Sequence, residues 1–336
     1  MDSYVQKYRA NSRVVEVAHK DDEELGPFRL LSGTWKNTER LNGRGWNMIA
    51  LPFASGEGPL DYRLMVNQYN EVLKFSLVDK RVPNRGIIKG ADGDPSTNDD
   101  QLLVALDYEQ MIEQIDADDR PDSSLEGGRN LAIHHEPGLF LYMREGPTPL
   151  NIARLATIPH GNSALGLGTF IETDQPALIE DISGLPIGVP SDLENPYLAP
   201  YKFYNENPFK GDVTDPGFPG FNPVRPNDLL KALPQNVKKN TVLPFDTTLE
   251  KAGIHNIPFI EQQADASEMK ATFWILELDG DGVDQPNLLL AYTQTVMLDF
   301  FPRRDGQGLI KWPHVSINVM EKVAEADDTK PYMPSA

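Results

Sequence analysis

Glycine and proline break this chain so often that long helices have no room between them: 26 and 28 of them are spread through the sequence. Between these breakers lie β-branched, apolar or alternating runs, the pattern of strands. The runs cover residues 33–36, 46–53, 63–78, 101–115, 132–143, 152–158, 164–171, 272–279, 288–300 and 315–323. Two of them, 63–78 and 101–115, exceed ordinary strand length and imply strands that bend or twist around a curved sheet. About ten antiparallel strands with hairpin-like links predict an all-β fold, an up-and-down barrel, because closure removes the exposed sheet edges.

One stretch breaks the rhythm. Residues 184–265 are rich in proline and also hold Tyr197, Tyr201, Phe203, Tyr204, Phe209, Phe218 and Phe221. Aromatic side chains at this density call for packing, so the segment reads as a long insertion, either wrapped on the barrel surface or closing over a pocket. A short helix over 227–233, capped by Asn227, is expected inside it. The domain plan is an N-terminal arm over 1–26, one barrel domain over 27–323 including the insertion, and a flexible acidic tail over 324–336.

The chain has no cysteine, which excludes disulfides, thiolate metal sites and a cysteine nucleophile. With 31 basic and 50 acidic residues the formal charge is −19, which argues against nucleic-acid and anionic-membrane partners. No run has the ~18 uncharged apolar residues of a membrane helix, and the charged start, with Lys20-Asp21-Asp22-Glu23-Glu24, has no apolar signal-peptide core. The expectation is a cytoplasmic protein that acts on small molecules; a homo-oligomer is compatible with this sequence.

A metal must then be held by histidine or carboxylate, and the six histidines are the informative residues. His19, in the charged arm, reads as solvated. His314 follows Pro313, and since proline is tolerated at a strand's first position, the strand is expected to start there. Alternation puts His314, Ser316, Asn318 and Met320 on one face and Val315, Ile317 and Val319 on the other. In a simple barrel the valine face would point inward, leaving His314 a structural residue unless the insertion covers the apolar face. His160, in Pro159-His160-Gly161, sits in a turn or bulge, either a plain turn residue or one aimed into a site. His134 and His135 must face opposite ways, and Glu136 shares the face of His134, as a structural ion pair or as a group that orients it. Arg154 shares the strand parity of His160 and reads either as a surface ion pair or as a group stabilising developing negative charge.

Other signatures are absent or weak. Asp279-Gly280-Asp281-Gly282-Val283-Asp284 lacks the closing glutamate of a calcium loop and reads as a hairpin turn. There is no phosphate-binding Gly-Lys-Ser/Thr loop, no Gly-x-Ser-x-Gly elbow and no His-Glu-x-x-His.

Taken in order, several segments resemble the nitrobindin family of haem-binding, calycin-like β-barrels. Leu31-Ser32-Gly33-Thr34-Trp35 with Asn42-Gly43-Arg44-Gly45 is similar to the family's Gly-x-Trp-x-Gly-x-Gly start, with wider spacing. Ile133-His134-His135-Glu136-Pro137-Gly138 is similar to its His-x-Glu-x-Gly strand, and Pro159-His160-Gly161 to the turn that follows the next strand. The pair of segments 290–297 and 312–316 resembles the final hairpin, whose histidine is the proximal haem ligand in that family. The resemblance implies a b-type haem held by His314, with His160 at a position where the family carries threonine, and His134 as a further candidate ligand. A distal base at His160, supported by Arg154, implies peroxidase-like chemistry with peroxide and a small apolar or phenolic substrate. The alternatives are a non-enzymatic carrier of fatty acid or another apolar ligand, and nitric-oxide binding or peroxynitrite isomerisation.

Overall fold

The structure is a computed structural model and describes residues 18–20, 22–41, 43–52, 61–89, 95–144, 149–157, 161–261, 264–280 and 287–326. Thirteen strands form one sheet: β1 (Gly33–Lys36), β2 (Gly45–Leu51), β3 (Arg63–Lys89), β4 (Pro95–Arg120), β5 (Ala132–Met143), β6 (Ile152–Ala156), β7 (Asn162–Gly168), β8 (Ile171–Thr173), β9 (Val237–Asp246), β10 (Gly253–Asn256), β11 (Asp265–Leu278), β12 (Leu288–Pro302) and β13 (Leu309–Ala324). Each long strand pairs antiparallel with its neighbour in the chain, and the sheet closes into a ten-stranded barrel. β1 and β2 share one position in it. Both lie between β13 and β3, β1 against Val72 to Phe75 and β2 against Arg63 to Tyr69, as one strand interrupted by the intervening loop. The seam between β7 and β9 is a single pair, Leu167 with Asp246, and it is reinforced by β10 alongside β7 and β8 alongside β9.

The two longest strands, β3 and β4, carry register shifts at Gln68/Tyr69 and Leu77/Asp79, where the ladder bends. Beyond Leu103 of β4 and Phe75 of β3 the pair has no other described sheet neighbour.

One end of the barrel is filled with aromatic rings. Phe140 meets Phe75, Tyr108, Phe245 and Phe273 at 5.0–5.5 Å between centroids. Phe28, on a 3-10 turn over Glu23–Phe28, packs on Phe140 and Tyr142. The outside of the barrel is also apolar where the insertion covers it. Trp46 on β2 stacks on Phe218 and Phe221 at 5.3 and 6.0 Å, with Phe209 edge-on at 5.9 Å. On the other side of β13, the side that carries His314, Trp312 packs between Phe300 and Tyr62, with Tyr197 beside it, just ahead of the helix α1 (Ala199–Glu206). A second short helix, α2 (Pro258–Glu261), follows β10. No helix of the described residues is long and apolar enough to cross a membrane.

Three expectations need correction. The range 184–265 contains two sheet strands, β9 and β10, so the covering segment proper runs from the end of β8 to the start of β9. β9 was hidden because Pro244 and a Lys-Lys pair interrupt its pattern. β13 starts at Leu309, so Pro313 lies inside it. At that point its partner is Met297 on β12, and β2 joins the other side only from Val315 onward, so the missing N–H faces an open edge. Asn227 is not a cap. It lies within a 3-10 turn over Pro226–Ala232 and is buried, donating from Nδ2 to Glu180 O (2.9 Å) and accepting from Thr293 Oγ1 (2.7 Å).

Candidate functional site

β13 settles which face is inside. Val315 and Ile317 pair with Met48 and Trp46 and lie buried under the insertion, while Ser316 pairs with Asn47 on the inward side. The valine face is therefore outside and His314, Ser316 and Asn318 point into the barrel, the reverse of a simple barrel. His314 and Ser316 line a cavity of about 150 Å³, together with Asn47, Asn67, Gln110, His134, Tyr292 and Gln294 and the apolar Ile49, Met65, Ile112 and Ile133.

Below the cavity the barrel carries two buried polar networks. In the first, Glu71 accepts from Tyr292 OH (2.6 Å), Gln110 Nε2 (2.7 Å) and Asn318 Nδ2 (2.8 Å), and Tyr292 meets Tyr69 OH at 3.0 Å. Burial pushes the Glu71 carboxyl up, and these three donors offset that only in part. In the second, Arg154 donates to Glu136 Oε1 (2.7 Å), Tyr108 OH (3.1 Å) and Gln294 Oε1 (2.5 Å). Its guanidinium lies over the rings of Tyr108 and Phe273, each at 5.3 Å. Burial acts to raise the Glu136 carboxyl, but Arg154, His134 and Tyr108 outweigh it and hold the group below the usual carboxylate range. Arg154 is 1% exposed, which excludes the surface ion pair.

The two imidazoles differ. His134 Nε2 lies 3.2 Å from Glu136 Oε2, so the carboxylate that Arg154 holds also fixes this ring. His314 is pushed down to about 4, by burial first and then by the neighbouring His134, and is uncharged at neutral pH. His135 faces out and meets Glu109 at 3.1 Å, and His19 and His255 are exposed. His160 lies outside the described residues. β6 ends at Ala156 opposite Gly138, four residues along β5 from His134.

His314, His134 and, through Glu136 and Gln294, Arg154 are thus brought to one place. Glu71, Tyr292, Gln110, Asn47 and Gln294 belong to the same centre. Their polar alternation in the sequence reads as a solvent face, and only a covered exterior reveals it as the interior.

The residues present can be weighed against a haem. An uncharged imidazole aimed into a cavity is a suitable iron donor, and His314 meets that condition. Asn47 Oδ1, buried on the cavity wall, has no partner among the described residues and would accept from a ligand. The volume sets a limit: 150 Å³ is below the ~300–1,000 Å³ of ordinary small-molecule sites. The donor set fits an iron centre, and the described walls would enclose only part of a tetrapyrrole. The closed barrel is compatible with a calycin-like fold. No protein-family model matches the chain, and no curated protein matches it.

Proposed function

We propose that this barrel binds haem, of the b type, through the uncharged ring nitrogen of His314, and that the bound group serves a peroxidase-like activity on a small phenolic or apolar substrate. The observation that carries this reading is the neutral imidazole of His314 facing a cavity that a second imidazole, His134, also lines. The haem would supply the redox chemistry. The chain's own residues would do the rest. Glu136, kept ionised by Arg154, orients the His134 ring through Nε2. Asn47 Oδ1 accepts a hydrogen bond from a bound molecule. Ile49, Met65, Ile112 and Ile133 supply the apolar part of the cavity wall. His160, the distal base that the resemblance offers, belongs to this proposal as a residue to be tested by replacement.

Titrating haemin into the purified protein tests the reading. A saturable Soret band at one haem per chain, lost in His314→Ala with the circular dichroism of the barrel intact, supports it. In His160→Ala a haem-loaded protein with peroxide turnover slowed roughly 10²–10⁴-fold marks an acid–base role. A wild-type protein without a Soret band removes the haem reading.

A second reading has its own observation, the small volume of the cavity. A non-enzymatic carrier of a compact ligand, with no iron, needs no more space than this and uses the same polar wall.

A further inference from the structure

A second cavity lies on the outside of the barrel, away from His314. Its floor is the outward face of β9, β11 and β12, where Val242, Pro244, Trp274, Thr295 and Met297 alternate with inward residues such as Leu243, Phe273 and Gln294. Its roof is the chain over 174–183, which has no regular secondary structure and, among the described residues, no backbone hydrogen bond to the sheet. Side chains tie this roof down instead. Asn240 Nδ2 donates to Gln175 O (3.3 Å), and Asn227 Nδ2 donates to Glu180 O while Thr293 holds Asn227. The space between measures about 700 Å³, in the middle of the range for small-molecule sites, ~300–1,000 Å³.

The lining defines the ligand. Its area is mainly apolar, and Trp274, only 4% exposed, forms the aromatic floor. Of the three charged groups in the lining, Lys270 is paired with Asp246 at 3.1 Å and Glu268 with Lys311, while Glu180 is an exposed residue of the roof. Apart from the Glu180 carboxylate on the roof, the polar side chains that remain are carboxamides and hydroxyls. One of them lacks a partner: Asn240 is 1% exposed, shares the cavity-facing side of β9 with Val242 and Pro244, and its Oδ1 accepts nothing among the described residues. A buried acceptor left without a donor is destabilising, and a ligand N–H or O–H would satisfy it. A net charge of −19 disfavours anions.

We propose that this outer chamber is a second binding site, independent of the barrel interior, for an uncharged and largely apolar small molecule that donates one hydrogen bond to Asn240 Oδ1. Binding needs a small displacement of the 174–183 roof, which side-chain ties allow more readily than a backbone ladder would.

The test uses N-phenyl-1-naphthylamine, an uncharged two-ring fluorophore with a single N–H, added to the full-length protein. Expected is saturable binding at one dye per chain with a blue-shifted emission. Thr295→Trp, which fills the chamber from β12, should weaken it at least 10-fold, and His314→Ala should leave it unchanged. Trp274→Phe, a mild change, should remove most of the energy transfer from tryptophan to dye, and this readout decides the matter if Thr295→Trp does not fold. Absence of saturable binding, equal affinity in Thr295→Trp, transfer unaffected by Trp274→Phe, or binding lost in His314→Ala would each overturn the proposal.

Discussion

His314 is uncharged because of where the barrel puts it. A protonated imidazole there would have to give up water beside His134, and the ring's affinity for a proton falls to about 4. The unfolded chain binds that proton at its ordinary value near ~6.5. Between these two values the unfolded state holds the proton and the folded state does not, so unfolding is favoured as pH drops through the window. Above ~6.5 the term vanishes; at pH 4 it has removed up to roughly 3 kcal/mol. In the metal-free protein, urea unfolding of wild type and His314→Gln at pH 7 and pH 4 should show the wild type losing about that much more stability. Parallel losses would mean that His314 titrates normally. Glu71, raised by burial, has the opposite sign: its contribution is present at low pH and is lost as pH rises. Comparing the two proteins cancels it, because both contain Glu71.

At the scale of elements, β2 decides the character of both faces. Gly45 opens the strand where a Cβ would lie 2.3 Å from the ring of Tyr69, so the ring can pass close to the backbone and reach Ile317 O and Tyr292 OH. One residue later, Trp46 points the other way and anchors Phe209, Phe218 and Phe221 of the covering segment. Trp46→Ala should cost about 3–5 kcal/mol, as for other large aromatic truncations in a core, read as a lower urea midpoint. Limited proteolysis should then cut near 207–222 before the barrel strands. A variant with wild-type midpoint and cleavage pattern would show that the stack does not hold the segment down.

The whole molecule buries apolar surface on two sides of one sheet, inside around Phe140 and outside under the insertion. Because Val315 and Ile317 belong to the outer layer while their neighbours His314, Ser316 and Asn318 belong to the inner one, the two layers share every residue of backbone along β13. They should melt together. Thermal unfolding followed by tryptophan fluorescence and by far-ultraviolet circular dichroism should give coincident transitions. A separate early transition of the fluorescence would assign the insertion its own cooperative unit and divide the barrel domain expected over 27–323.

Strand existence was legible locally. β1 and β5 match the expected runs 33–36 and 132–143 at both ends, because alternation and the flanking breakers are local properties. The parity of His134 against His135, and the pairing of His134 with Glu136, also follow from the two-residue period alone. β9 was not legible, since its Pro244 is tolerated only for the position it takes in the finished sheet. The inner and outer faces were not legible either. Period two assigns residues to one side or the other, but which side is inside depends on what covers the sheet. The insertion supplies that cover in tertiary structure, through contacts such as Trp46 with Phe221 between residues far apart in the chain. The sequence by itself determined an antiparallel all-β meander and the sidedness of its histidines; only the tertiary structure turned the polar side inward, gathering the half-buried His314 and His134 and the buried Arg154 and Glu71 into one centre, because burial is decided by the layer packed outside the strand and not by the strand.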